Sequence, residues 1–518
     1  MPLLVSVVGL LFALYVGRLA GTSDTRTLGI LFGGLFVTLL CLWLRSSIWL
    51  LIPLCWGLTG KISLLPLPFS VRDLSVMLVA GMFGIFFALK MVRFKSQSGF
   101  LEVIVAINIA YIVSMFIRHP VGTSAFGSDL VGGRPYFDVI IGLIAFLLFR
   151  LVTISPKQAR IFPFFLLAGT IFVTTMNLIV RFVPALTIVI APIYSGINVG
   201  GYMEAEGYSE ASTKEGKRVG ELAGPGSQII QILCSYYKPI TLLLPTHPLR
   251  MLLLVIGGVG ILYSGFRGSI ISMGFFFLFA SYFHGGSKDL VRCLAAGVVL
   301  LLVMVGLQLA GLLPLQGQRA LSFIPFVPWN ELAKANAEDS SQWRVEMWKL
   351  VLNDKKYIND KIWGDGFGFS AYELSIMRNA DFGGTGFIGG AIQESFMIAG
   401  AFHSGPISSM RYAGLVGFTF FMVWLIHLSF QALQIIKEAR GTPFFPTTLF
   451  FFMPMIYGPL LFIVIFGDYQ TAIPDSLFAS GMLRMIKNSL HAHLNENLNL
   501  KNNSSSLVEQ TKLVPLRG

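Results

Sequence analysis

Charge is scarce in this sequence. Asp, Glu, Lys and Arg make up only 12% of its 518 residues, against about a quarter in a soluble globular chain. That shortage excludes an ordinary soluble domain. Cysteine is nearly absent too: Cys41, Cys55, Cys234 and Cys293 lie in or beside apolar runs, without metal-ligand spacing. They read as small apolar packing residues. No Asp-x-Asp pair occurs anywhere, so the usual site for a metal–nucleotide-sugar complex is missing. That disfavours a cytoplasmic nucleotide-sugar enzyme and is compatible with a lipid-diphosphate donor. No single basic block exists either. The net charge of +12 is dispersed over short loops between apolar runs, as the positive-inside rule produces, and no nucleic-acid partner is expected. Only Met1 and Pro2 precede the first apolar run. Without a basic n-region or a small-residue cleavage pattern, that run is expected to be a retained span. No convincing internal repeat is visible.

What the sequence does have is apolar length. It is 54% hydrophobic with a mean hydropathy of +0.72. About fourteen runs approach or reach the length that crosses a ~30 Å hydrocarbon core. They cover residues 3–20, 28–44, 48–67, 74–90, 101–117, 137–152, 161–180, 182–197, 229–244, 251–264, 269–283, 294–313, 412–436 and 449–466. The runs at 182–197 and 229–244 are open to an interfacial or re-entrant reading, so about twelve to fourteen spans are expected. The runs are apolar on all sides, which excludes barrel strands and predicts helices. The expected fold is all-α: a polytopic transmembrane helix bundle with a long helical periplasmic loop.

Two polar interruptions stand out. Residues 200–227 form a mixed-charge loop containing Glu204, Glu206, Lys214 and Arg218, read as solvated. Residues 314–411 are far longer, roughly a hundred residues, and loops of that length are functional or disordered. This one holds Trp329, Trp343, Trp348, Trp363 and His403, and its aromatic, Gly-rich composition predicts a folded unit. The tail from 491 to 518 is polar and expected to be disordered. The chain therefore divides into N-terminal transmembrane helices (1–250), core helices with the Arg267 junction (251–313), the periplasmic loop (314–411), C-terminal helices (412–490) and the tail.

Orientation follows from the basic gaps. Lys90, Arg93 and Lys95 flank one. Arg150, Lys157 and Arg160 flank another. Lys288 with Arg292, and Lys437 with Arg440, flank two more. All are expected in the cytoplasm. Two spans joined by the long loop separate the last two gaps, so that loop is expected outside. Counting one span back puts the Ser264–Ser269 turn, and Arg267 within it, on the same outer side.

Three residues there have chemical potential. Arg267 sits at a junction between apolar runs, where a charge close to hydrocarbon suggests an anionic partner; the bland alternative is a snorkelling interface Arg. Arg344 lies in Ser341-Gln342-Trp343-Arg344-Val345-Glu346-Met347-Trp348. Trp343, Met347 and Leu350 would share one helical face, and Arg344 and Trp348 the next. This predicts an amphipathic surface helix whose Arg grips phosphate bidentately. A solvated Arg is the alternative. His403, in Phe402-His403-Ser404-Gly405-Pro406, would be a natural general base, with an unperturbed pKa of ~6.5. Together, guanidiniums would hold and neutralise a diphosphate leaving group while the imidazole takes a proton from an acceptor hydroxyl. Guanidinium charge would stand in for a metal.

The order of these motifs resembles the O-antigen ligase/polymerase superfamily of bacterial envelope glycosyltransferases. The resemblance rests on Ser264-Gly265-Phe266-Arg267-Gly268 at a span junction, then Gln318-Arg319 opening the loop. Arg344-Val345-Glu346-Met347-Trp348 and Gly364-Asp365-Gly366-Phe367-Gly368 follow. His403 and Gly414-Leu415-Val416-Gly417 close it. It covers residues 264–420; the N-terminal half shares only hydropathy. Phe266 and Ser404 stand where the pattern has Ser and Asn, and Arg411-Tyr412-Ala413 where it often has a Glu. The resemblance implies an inner-membrane glycosyltransferase acting on the periplasmic face. It implies a glycan donor on undecaprenyl diphosphate, a glycan or lipid-core acceptor, inversion, and neither metal nor cofactor. Arg267 and Arg344 would bind the diphosphate, Arg319 would be a further candidate there, and His403 would be the base or orient the acceptor. Ligation and polymerisation both remain open. A transporter or flippase of lipid-linked oligosaccharides is the rival reading; it predicts an interior charged pathway and repeat symmetry.

Overall fold

Polar side chains at the boundaries of the apolar runs set where the helices begin. Ser70 accepts from the Asp73 amide while the Asp73 carboxylate accepts from the Ser70 amide, a reciprocal cap. Ser155 and Gln158 repeat the arrangement. Pro135, Pro156, Pro248 and Pro406 occupy first turns, where the missing N–H leaves no bond unmade. The structure is a computed structural model. It describes residues 43–63, 67–90, 99–120, 133–191, 193–197, 219–368 and 402–512, with isolated positions at 17, 21, 27, 31, 33–35, 39, 397 and 400.

The main helices are α1 (Leu51–Cys55), α2 (Val71–Ala88), α3 (Phe100–Arg118), α4 (Arg134–Leu151), α5 (Pro156–Phe182), α6 (Ala223–Tyr236) and α7 (Pro248–Ser264). They continue with α8 (Arg267–Leu309), α9 (Leu315–Leu321), α10 (Glu331–Asn353), α11 (Gly405–Ala439), α12 (Phe445–Val464) and α13 (Tyr469–Lys512). Among the described residues there is no strand, only isolated bridges from Lys61 to Ser70 and from Ile62 to Tyr194. Six of the described helices, α2, α3, α5, α8, α11 and α12, are long and apolar enough to cross a membrane. This is a membrane-type helical bundle. α8 breaks at Gly286 (φ 73°, ψ −160°), so it comprises two limbs, matching the separate runs expected at 269–283 and 294–313.

Several expected runs differ in the structure. The run at 48–67 is helical only to Cys55; a turn and the isolated bridges at Lys61 and Ile62 follow. The run at 182–197 breaks into short turns at Pro184–Leu186 and Thr187–Ile190. The run at 229–244 becomes α6 and a turn at Pro239–Leu242. Prolines at 184 and 239 begin new turns instead of continuing helices. The runs at 3–20 and 28–44 and the loop at 200–218 lie largely outside the described residues, as does 373–396. The polar tail, expected without regular structure, is helical to Lys512. Once Leu483, Ile486 and Leu490 anchor α13 in the core, each further residue adds one backbone bond without a new nucleus.

Buried polar contacts put the helix ends in register. At one end, Arg72 pairs with Asp138 at 2.6 Å and Arg134 with Asp73 at 2.6 Å. The Trp56 indole reaches Asp475 at 2.9 Å. These join the starts of α2, α4 and α13. At the other end, Glu102 pairs with both Arg484 and Arg150, joining the start of α3, the end of α4 and the middle of α13. His284 beside the α8 kink stacks edge-on to Phe445 at the start of α12. Lys90, Arg150, Lys288, Arg292, Lys437 and Arg440 all fall at this second end. The Arg267 junction and the segment after Leu309 fall at the first end, as the span count expects.

The Gly-x-Gly segment fastens this first end. The Asp365 and Gly366 amides donate to the Arg411 and Tyr412 carbonyls at 2.9 Å, and the Leu415 and Val416 amides donate to Lys361 and Ile362. Arg411 and Asp365 form an ion pair at 2.7 Å, both largely buried. Tyr111 of α3 donates its hydroxyl to the Ala413 and Trp363 carbonyls. Gly414 (φ 65°) makes the kink in α11, and a β-carbon on it would collide with the Ile362 carbonyl. Gly414→Ala is therefore expected to lower stability by about 1–3 kcal/mol, read as a drop in melting temperature of the detergent-solubilised protein. Gly297→Ala, where a β-carbon meets nothing within 4 Å, is the control. Equal melting of the two variants would refute the interlock.

Candidate active site

Arg267 owes its place to a helix reversal. α7 ends at Gly265 in the left-handed region (φ 66°), and the Phe266 amide donates to Ser264 Oγ at 3.3 Å. The chain turns back at once, so Arg267 is the first residue of α8. Its Nη2 donates to Ser322 Oγ at 3.0 Å and its Nε to the Arg319 carbonyl at 3.4 Å. Arg267 is thus tied to the last turn of α9, the helix that carries Arg319. α9 is seated by Leu313, Leu321 and Trp329, which pack with Ile270 of the first α8 limb and Met304 of the second. The same apolar cluster that closes the bundle end holds the Arg267–Arg319 pair.

Arg344 comes from α10. That helix is capped by Asn330, whose side chain accepts from the Leu332 amide. Met347, Trp348, Val351 and Leu352 of α10 pack with Tyr357, Phe402 and Ile407. The buried stripe thus runs through 347, 348 and 351. The helical period expects Leu350 on the apolar face with Trp343 and Met347, and Trp348 on the next face with Arg344. Instead Leu350 is 45% exposed and Trp348 faces inward, because the 402–407 segment covers that side. The Trp343 side chain lies outside the description.

His403 projects from a tight turn. Gly400 (φ 71°) and His403 (φ 52°) both adopt left-handed backbone, rare for a non-glycine residue. The Phe402 ring between them is fully buried, and its carbonyl accepts from the Trp348 indole at 2.8 Å. The imidazole packs against Phe466 with centroids 5.4 Å apart. The next residue, Ser404, is the N-cap of α11.

The charge of Arg344 acts on Arg267, Arg319 and His403 alike, so the four predicted residues form one group. Arg267 and Arg344 have no carboxylate partner among the described residues. Burial pulls the Arg344 guanidinium below its ordinary pKa. Burial, with Arg344 second, does the same to Arg319. Arginine stays protonated regardless, so these directions measure positive charge held in half-buried space, which an anion would relieve. Burial also lowers the His403 pKa, Arg344 adds to it, and Asp468 opposes both. The imidazole is therefore favoured in its neutral form, able to accept a proton.

Asp468 escaped the sequence reading. It sits just past the apolar run ending at 466, takes the Ser408 hydroxyl at 2.8 Å, and caps α13 through the Thr471 amide at 3.1 Å. An acidic residue at a span boundary is a usable sequence signal; its partner Ser408 is not. Arg411 was expected at the start of a span. It lies instead inside α11, paired with Asp365, and serves the interlock. Among the described residues no cluster of His, Cys, Asp or Glu is arranged to hold a metal ion. No family model matches the chain, and no curated protein matches it.

Removing the Asp468 charge takes away a group that favours imidazolium. Asp468→Asn is expected to lower the His403 pKa further, measured by NMR titration with the His403 signal assigned through its loss in His403→Gln. An unchanged or raised value would separate the two residues.

Proposed function

We propose that this chain transfers a saccharide from a polyprenyl-diphosphate carrier to an acceptor hydroxyl, in the manner of an O-antigen ligase or polysaccharide polymerase. The observation that carries the reading is the grouping of Arg267, Arg319 and Arg344 with His403 at one bundle end, with Arg267 and Arg344 unpaired to any carboxylate among the described residues. In a bacterium the chain would lie in the inner membrane with this end on the periplasmic side, because the basic turns gather at the opposite end.

The chemistry follows from the charges. The carrier diphosphate docks on the guanidiniums, whose fork geometry suits phosphate oxygens. The His403 imidazole accepts the proton of an acceptor hydroxyl as that oxygen attacks the anomeric carbon. The bond from anomeric carbon to phosphate oxygen breaks, and its electron pair leaves with the carrier diphosphate. Attack opposite the leaving group inverts the anomeric centre. The arginines stabilise the charge that grows on the leaving oxygen, in a setting where that stabilisation is worth more than in water. The acceptor is a glycan or a lipid core.

One observation favours the rival, a transporter of lipid-linked oligosaccharides. Arg72, Asp73, Arg134 and Asp138 form a buried charge cluster between helices, and charges inside a bundle often mark a pathway. Detergent solution separates the two readings, since it has no second compartment.

Purified protein in detergent, given polyprenyl-diphosphate saccharide and acceptor, is expected to release free carrier diphosphate. Arg344→Gln is expected to reduce transfer by about 10²–10³, with unchanged melting temperature. Activity should rise with pH along a limb centred below ~6.5, the ordinary histidine value, because His403 works unprotonated and its pKa is depressed. In Arg344→Gln the residual limb should move up. No carrier release by the wild-type protein would end the proposal. In cells, a deletion strain showing single-repeat decoration would assign polymerase, and unattached lipid-linked long chains would assign ligase.

A further inference from the structure

The site draws on elements far apart in sequence, so something must hold their spacing. Arg344 rides on α10, and His403 rides on a turn about sixty residues later. Trp348 lies one helical turn beyond Arg344. Its indole N–H donates to the Phe402 carbonyl at 2.8 Å, the peptide that leads directly into His403. Phe402 is fully buried, and Met347, Val351 and Tyr357 pack around it with Trp348 alongside. The bond is made where His403 holds its unusual φ of 52°. A strained turn persists only when its surroundings over-determine it, and the indole bond is one contact made at that turn.

We propose that Trp348 is the positioning residue of the site: its indole N–H, bonded to the Phe402 carbonyl, keeps the His403 imidazole in register with Arg344. Trp348 touches no reacting atom in this scheme. It sets the distance between the group that takes the proton and the group that holds the leaving diphosphate. The proposal rests on the glycosyl-transfer reading for its catalytic consequence, but its geometric content stands apart from it.

Two substitutions distinguish a hydrogen-bond role from a packing role. Trp348→Phe keeps a large ring in the cluster and removes the donor. Trp348→His shrinks the side chain but retains a ring N–H. With the full-length protein in detergent, Trp348→Phe is expected to lower kcat by about tenfold or more, since small misplacements in a site are costly. KM for a polyprenyl-diphosphate saccharide should stay level, because the arginines remain. Trp348→His should recover most of kcat.

The second readout needs no activity. Among the described residues the charged groups acting on His403 are Arg344 from α10 and Asp468 from the turn between α12 and α13; Phe466, just past α12, packs its ring against the imidazole. If the clamp holds His403 near Arg344 and out of solvent, releasing it should raise the His403 pKa toward ~6.5. NMR titration should show that rise in Trp348→Phe and not in Trp348→His. The reverse order of the two variants, equal loss in both, or no change in either would overturn the proposal. If the wild-type protein turns over no donor, the functional reading fails, while the titration still decides the clamp.

Discussion

Like charges must be held together against their own repulsion, and that constraint organises this end of the molecule. Arg267, Arg319 and Arg344 come from separate helices and share half-buried space. Arg267 and Arg344 have no carboxylate partner among the described residues. Such an arrangement persists only because apolar packing elsewhere supports it. The cluster of Leu313, Leu321 and Trp329 with Ile270 and Met304 seats α9 beside Arg267. The cluster of Met347, Val351, Phe402 and Ile407 seats α10 beside His403. Burial lowers the basicity of His403, and the Arg344 charge adds to it.

The same end contains opposite solutions to burying charge. Arg72 and Arg134 are each neutralised by Asp73 and Asp138, at 7% and 5% exposure respectively. Arg411 is likewise neutralised by Asp365. These pairs join helices, and removing one partner would strand a buried charge. Arg267 and Arg344 are more exposed by comparison and have no carboxylate partner among the described residues. Among the described residues at one bundle end, a carboxylate partner therefore marks the arginines that fasten helices together.

The glycines sort in a similar way. Gly364, Gly366 and Gly414 look like part of a catalytic signature when read in sequence order. In three dimensions Gly364 and Gly414 allow two chain segments to approach closely, with Tyr111 of α3 bonding to both, while Gly366 faces His119 and Tyr136. Their effect on His403 is indirect: they fix the first limb of α11, at whose start that residue stands.

Much of the architecture was legible from residue order alone. Apolar runs at 74–90, 101–117 and 161–180 became α2, α3 and α5, since a helix is the form that satisfies its own backbone in hydrocarbon. The basic gaps at Lys288 and Lys437, separated by two spans and the long loop, place Arg267, Arg344 and His403 at one end by counting alone. What hydropathy could not supply were breaks and partners. The run at 182–197 is as apolar as a span, yet it breaks into short turns. The inward face of α10 was misassigned because helical period gives faces, not which face another segment will cover. The Ser408–Asp468 and Trp348–Phe402 bonds join residues far apart in the chain, so no local pattern announces either partnership. The sequence by itself determined helix, membrane and the shared end of the charged residues, because solvation and charge asymmetry act locally. Only the tertiary structure decided which arginines are neutralised, which glycines fasten and how the imidazole is aimed, because those follow from packing between distant segments.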